Sequence, residues 1–199
     1  MHHPLNSRAF AQEFWFTVSQ AVVSQTDVEY LALIRADVVT FMKHVASQYA
    51  NSPGLLLDIA PQDWEGARPF FPAHVLVETL DIDPNSGCTH IGDICQRNEF
   101  IMHERYHFVV CTEVLEHTLQ PFDAVDEIWR VLKPGGLVFA AAPFNFRIHG
   151  PLPDCWRFTE HGYRALFRKF EIVELNGRET PDRALMPIHY TVVARKQSV

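Results

Sequence analysis

Residues 108–141 constrain the fold of this chain more tightly than any other stretch. Phe108–Cys111 is a short apolar run of β type. It ends on a polar cluster, Thr112, Glu113, Glu116 and His117. Pro121 then opens a helical pattern in which Phe122, Val125, Trp129 and Leu132 share one face. The turn Lys133-Pro134-Gly135-Gly136 stops the helix, since proline presets one turn position and glycine supplies the positive φ of the next. A second apolar run begins at Leu137. Strand, helix, strand is the repeating unit of a parallel sheet. The polar cluster lies beyond a strand's carboxyl end, where open α/β sheets bind ligands.

The rest of the chain continues the alternation. Residues 10–24 and 27–49 read as two helices, the second with Val28, Leu31, Ile34, Val38, Phe41 and Val45 at helical spacing. Asn51-Ser52-Pro53-Gly54 breaks the pattern. Strands follow at Leu55–Ile59, Val77–Ile82, Phe108–Cys111 and Leu137–Ala141, then a Pro-rich connector from Pro143 to Pro153. A helix at Glu160–Phe167 precedes two more strands, Phe170–Leu175 and His189–Ala194. Such an order predicts an α/β domain with a mostly parallel sheet. With 199 residues, the chain suits one domain, residues 1–50 forming a helical cap and 51–199 the core.

Charge narrows the partners. Seventeen basic against 24 acidic residues leave −7, with no block of like charges, which disfavours a nucleic-acid backbone as ligand. The four cysteines stand apart at 88, 95, 111 and 155, a pattern of reduced thiols in a cytoplasmic protein. Gln12, Glu13, Ser19 and Gln20 interrupt any signal-peptide segment. No apolar run reaches the roughly 20 residues of a membrane span.

Glu113-Val114-Leu115-Glu116-His117 and Leu132-Lys133-Pro134-Gly135-Gly136 together resemble the fourth and fifth motif regions of class I S-adenosylmethionine-dependent methyltransferases, the Rossmann-like group. The resemblance covers about residues 55–170. It implies a Rossmann-like three-layer α/β fold with a seven-stranded sheet in the order 3-2-1-4-5-7-6 and helices on both faces, to which the helical pattern of the first 50 residues adds two extra N-terminal helices. It also implies S-adenosyl-L-methionine as cofactor.

Leu55-Leu56-Leu57-Asp58-Ile59-Ala60 resembles the family's first motif, which normally continues into a glycine-rich turn. Here the turn reads Ala60-Pro61-Gln62-Asp63-Trp64-Glu65-Gly66, so the cradle for the methionine moiety departs from the family pattern. That loss weighs more against a dinucleotide, whose pyrophosphate needs the glycine turn, than against a sulfonium ligand without phosphate. Asp58 either meets the ligand or only caps the turn. By resemblance Asp81 accepts hydrogen bonds from both ribose hydroxyls, as suits a carboxylate with two acceptor oxygens, and Ile82 packs on the adenine. Asp93 and Ile94 correspond to the third motif, at the adenine edge, although Asp93 also fits a plain surface loop. Cys111, Thr112 and Glu113 correspond to positions that present backbone to the methionine end.

His117 is placed by the resemblance over the reacting methyl group, either taking a proton from the acceptor or packing over the cofactor. Glu116 orients that loop or caps the helix. Asp154-Cys155-Trp156-Arg157-Phe158-Thr159 resembles a D-x-W-R-F-T segment that borders the acceptor pocket in a subset of the family, with Asp154 the second candidate base. Alternatively, Asp154 pairs with Arg157 while Trp156 and Phe158 pin the loop.

No metal site is expected. His103-Glu104-Arg105-Tyr106-His107 has H-E-x-x-H spacing, but it runs into a strand, so its histidines do not share a helix face. Asp81-Ile82-Asp83-Pro84-Asn85 starts like a calcium loop and then fails at Ser86 and Gly92. The expected function is methyl transfer to an oxygen or nitrogen of a small-molecule or glycan-type acceptor. The alternative is a non-catalytic binding or partner protein of the same fold.

Overall fold

The computed structural model describes residues 22–61 and 66–197. The expected helix at 10–24 lies almost wholly outside them. The first described element is α1, Gln25–Tyr49, which opens where the Ser24 hydroxyl accepts from the Asp27 amide. Seven strands follow: β1 Gly54–Ile59, β2 Val75–Asp81, β3 His90–Ile91, β4 Tyr106–Thr112, β5 Leu132–Pro143, β6 Phe170–Arg178 and β7 His189–Lys196. One turn of 3-10 helix, Leu115–His117, leaves β4. Helix α2, Pro121–Val131, joins β4 to β5, and α3, Glu160–Leu166, precedes β6.

The sheet order is β3-β2-β1-β4-β5-β7-β6. The first five strands of that order are mutually parallel, and β7 runs antiparallel to both β5 and β6. This is the predicted order. The sequence reading missed β3, a strand of two residues and therefore too short to carry a period.

Alternate residues of the central strands go to two separate cores, as the period of two requires. Leu56, Phe108, Val110 and Phe139 join Phe41, Met42 and Val45 of α1. Leu57, Val109, Cys111 and Val138 join Val125 and Ile128 of α2 with Tyr163 and Leu166 of α3. Each such aliphatic side chain contributes about 1.5–3 kcal/mol by leaving water.

The buried stripe of α2 is rotated from the expected face. Ala124, Val125, Ile128 and Val131 are buried, whereas Phe122 remains 47% exposed and Trp129 is half-buried. The large aromatics misled the periodicity, because small Ala124 lies where the helix approaches the sheet. The turn after α2 has Gly135 at φ 78, as its Pro-Gly pair predicts.

Candidate active site

Register brings the expected residues to one edge. Asp58 of β1 pairs with Thr79 of β2 and Val110 of β4, while Asp81 pairs with Ile91 and Thr112 with Ala141. The parallel strands therefore end together, and Ala60, Ile82, Gly92 and Glu113 leave the sheet along a common edge.

The first turn is rebuilt. Ala60 has φ 51 and donates its amide to the Leu80 carbonyl at 2.7 Å. Asp58 is 3% exposed, and its Oδ2 accepts from the Ala67 amide at 2.6 Å. Burial pushes this carboxyl up to about 6, against the opposing effect of that hydrogen bond. Asp58 thus braces the far end of the turn from beneath. Gly66, at φ 55, is the glycine that the turn keeps: a Cβ there would lie 2.6 Å from Asp58 Oδ2. Pro61 is half-buried at the turn's start, and Gln62 lies outside the described residues.

Asp81 is half-buried, and its Oδ1 accepts from the Asp83 amide at 2.8 Å. Among the described residues Oδ2 accepts nothing, so one carboxylate oxygen remains for a ligand. Ile82 is 68% exposed, an apolar side chain left in water beside that carboxylate. Asp93 accepts from the Cys95 amide at 2.8 Å, shaping its own loop, and Ile94 is buried in the core. Cys111 is wholly buried within β4, with its thiol directed into the core and only its backbone near the edge. Thr112 is half-buried at the strand end, and Glu113 has φ 57.

Glu113 has a partner the sequence did not announce. His189, fully buried at the start of β7, contacts Glu113 Oε1 through Nε2 at 2.8 Å and Asp37 Oδ2 of α1 through Nδ1 at 2.7 Å. Burial alone would lower its pKa. The Glu113 charge and the two carboxylate hydrogen bonds outweigh burial and push it up to about 9.

The acceptor-side loop is latched onto the 3-10 turn. Cys155 and Trp156 amides donate to the Glu116 carbonyl at 2.7 and 3.1 Å, and Trp156 Nε1 donates to Thr118 O at 2.7 Å. His117 Nδ1 donates to Pro153 O at 3.0 Å, and burial holds this imidazole below its ordinary pKa, hence neutral. Its Nε2 then carries the lone pair. Asp154 is bound by Arg157 from both guanidinium arms and by His149 through amide and ring. Burial opposes the ionised form, yet Arg157 and His149 hold the carboxyl well below its usual range. The second sequence alternative for this loop holds in part: Asp154 pairs with Arg157 and Phe158 is buried, while Trp156 stays 40% exposed.

Glu116 neither caps α2, whose N-cap is Gln120, nor reaches solvent. Among the described residues neither carboxylate oxygen has a hydrogen-bond partner, and the buried Tyr163 hydroxyl also lacks one. Burial, reinforced by the Glu113 charge, pushes its pKa well above the ordinary value. Sequence reasoning gave Glu116 only a supporting role and passed over His149 and His189 as individual residues. The signal available was a histidine five residues before an acid on a Pro-rich loop, and a histidine opening a mostly apolar strand. In H-E-x-x-H, His107 sits inside β4 and accepts from the Leu55 amide at 3.0 Å, while exposed His103 contacts Arg97 at 3.0 Å.

Known proteins share this fold. A family model described as a methyltransferase domain matches residues 87–140. A putative methyltransferase from Bacillus halodurans superposes with a TM-score of 0.60 at 16% identity, over 82% of this chain and 100% of its own. The 1,6-didemethyltoxoflavin-N1-methyltransferase of Burkholderia thailandensis, solved with 1,6-didemethyltoxoflavin and S-adenosylhomocysteine, gives 0.59 at 16% identity over 90% and 93%. A methyltransferase from Methanosarcina mazei gives 0.61 at 16% identity over 78% and 98%. A search of curated proteins finds no match to the chain. The matched segment and the strand order agree: the chain has the Rossmann-like fold of these methyltransferases, and residues 87–140 are similar to a methyltransferase domain. Among the described residues no helix is long and apolar enough to cross a membrane.

Proposed function

We propose that the protein transfers a methyl group from S-adenosylmethionine to an oxygen or nitrogen of a small-molecule or glycan-type acceptor. The observation that carries this reading is Asp81, whose spare carboxylate oxygen stands beside exposed Ile82 at the end of β2. A carboxylate next to an apolar surface suits a ribose joined to an aromatic base. Asp93 and Ile94 border the base, Asp58, Ala60, Pro61 and Gln62 surround the amino-acid end, and Cys111, Thr112 and Glu113 offer backbone to it.

When bound, the cofactor supplies an electrophilic sulfonium methyl. The protein's own task is then alignment, for which fixed geometry contributes on the order of 7–11 kcal/mol. His117, neutral and with its Nε2 3.7 Å from Glu116 Oε1, is the candidate base on the acceptor side. Asp154 acts as a positioning residue: held ionised by Arg157, it fixes the orientation of His149 instead of taking a proton itself. In this reading the chain works as one domain, and α1, from the N-terminal 50 residues, caps the site. Contacts of α1 with both sides support the cap, Asp27 with Arg147 at 3.9 Å and Asp37 with His189.

Calorimetric titration with S-adenosylmethionine and S-adenosylhomocysteine tests the reading, followed by mass spectrometry of products from sugar, phenol and amine panels. Absence of binding to both sulfur compounds rules the enzyme out and leaves a partner protein of the same fold. His117→Ala is expected to keep S-adenosylhomocysteine affinity within about twofold while slowing turnover by roughly 10²–10⁴-fold.

A further inference from the structure

We propose that Glu116, His117 and His149 bind a divalent transition-metal ion of the zinc class, with one coordination position left open toward the acceptor loop. Their ligand atoms all lie within 4.8 Å of one another. Glu116 Oε1 is 3.7 Å from His117 Nε2 and 3.9 Å from His149 Nε2. Ligands at ~2.1 Å around a tetrahedral ion stand roughly 3.4 Å apart, so the two Glu116 pairs need a few tenths of an ångström and the two imidazoles close by about 1.4 Å at most.

The outer partners are those a metal site needs. His117 Nδ1 is committed to Pro153 O at 3.0 Å, and His149 Nδ1 to Asp154 Oδ2 at 3.0 Å. Such partners fix the tautomer and aim the Nε2 lone pair at the ion. Arg157 in turn anchors Asp154. Two imidazole lone pairs and a Glu116 oxygen therefore face each other, a set that either an ion or a proton on Glu116 can hold together.

Glu116 supplies the independent observation. Its side chain is 0% exposed, and among the described residues neither oxygen has a hydrogen-bond partner. A buried, unpartnered carboxylate is costly unless it takes up a proton or a cation meets it, and the two imidazole lone pairs beside Glu116 suit a cation. The donor set selects the cation. Two imidazoles favour zinc and its neighbours over calcium or magnesium, which prefer all-oxygen surroundings. Three protein ligands and an open position are the arrangement of a catalytic site.

Binding of the ion stands on this geometry alone, and its use in catalysis rests on the methyltransferase reading. In that use the open position takes an acceptor hydroxyl or water. The bound oxygen keeps its electron pair and releases its proton to solvent more readily than when free. His117 then acts by holding the ion.

The test uses the full chain stripped with a chelator and titrated with zinc, with bound metal counted by mass spectrometry. One equivalent per chain is expected. Glu116→Gln and His149→Ala should each bind at least roughly 100-fold more weakly, with S-adenosylhomocysteine affinity kept as the measure of folding. His149→Gln serves if His149→Ala does not fold, and exposed His161→Ala should change nothing. Cobalt(II) should give the strong visible absorption of a tetrahedral site. A wild-type protein that binds S-adenosylhomocysteine but retains no stoichiometric ion overturns the proposal, leaving a shared proton in the ion's place. Equal zinc affinity in Glu116→Gln and His149→Ala overturns it too. A chain that binds zinc through these residues but neither sulfur compound keeps the metal site and removes the methyltransferase reading.

Discussion

Gly66 and Asp81 carry opposite burdens at the edge of the sheet, one by lacking a side chain and one by the side chain it offers. At Gly66 an alanine would add a left-handed penalty of about 1–2 kcal/mol and a methyl 2.6 Å from Asp58 Oδ2. Gly66→Ala is expected to lower the melting temperature by about 5 °C or more in a fluorimetric melt. It should also weaken S-adenosylhomocysteine binding, because Asp58 can no longer brace the turn at the Ala67 amide. Asp81→Ala removes a charged acceptor worth about 1.5–3 kcal/mol, so calorimetry should show roughly 10- to 100-fold weaker binding without loss of stability. Unchanged affinity would mean that the ribose lies elsewhere. Asp81 was legible in the sequence because it ends an apolar run. Gly66 was not, since its partner is eight residues upstream and the contact depends on how the turn closes.

At the level of elements, α2 is fastened by charge as well as by its apolar stripe. Arg130 and Glu127 are both buried and meet at 2.7 Å. Arg130 also donates to Ile101 O at 2.8 Å and Asn98 O at 3.0 Å, while Glu127 accepts from the Asn98 amide at 2.9 Å. The pair thereby closes the loop between β3 and β4 onto the helix. Arg130→Met leaves Glu127 buried without its cation and is expected to cost about 3–5 kcal/mol in urea denaturation. The double variant with Glu127→Met should recover most of that loss, since replacing both charges removes the orphan. A hydrophobic pattern places α2 but is blind to this clamp. It assigned Phe122 to the core, whereas the helix turns Phe122 outward and admits Ala124.

Across the whole molecule, His189 ties α1 to the sheet edge by linking Asp37 and Glu113 from β7. Its folded pKa, about 9, lies above the ordinary 6.5 of an unfolded histidine. The stabilisation is therefore fully present below pH 6.5 and is lost as pH rises through about 9. Its size is about 3 kcal/mol, equivalent to a fall of roughly 6–12 °C in melting temperature between those limits. His189→Gln should melt lower at pH 6 and show little of that decline, as read by melts from pH 6 to 10. A decline of equal size in the variant would assign the pH dependence to other groups.

Local order determined much of this protein directly from its sequence. Apolar periods and turn residues marked six of the seven strands, and the acids and backbone positions at their carboxyl ends followed from the motif order. The strand sequence also carried the sheet order through the family resemblance. What only the tertiary structure decided is which polar groups meet. His189 lies 76 residues from Glu113 and 152 from Asp37, and His149 is brought to Glu116 by a proline-bearing loop that folds back on the 3-10 turn. Periodicity reports which way a side chain faces within its own element. It holds no information on which distant element closes over that side chain, and at this sheet edge that closure sets the charge of His189 and the isolation of Glu116.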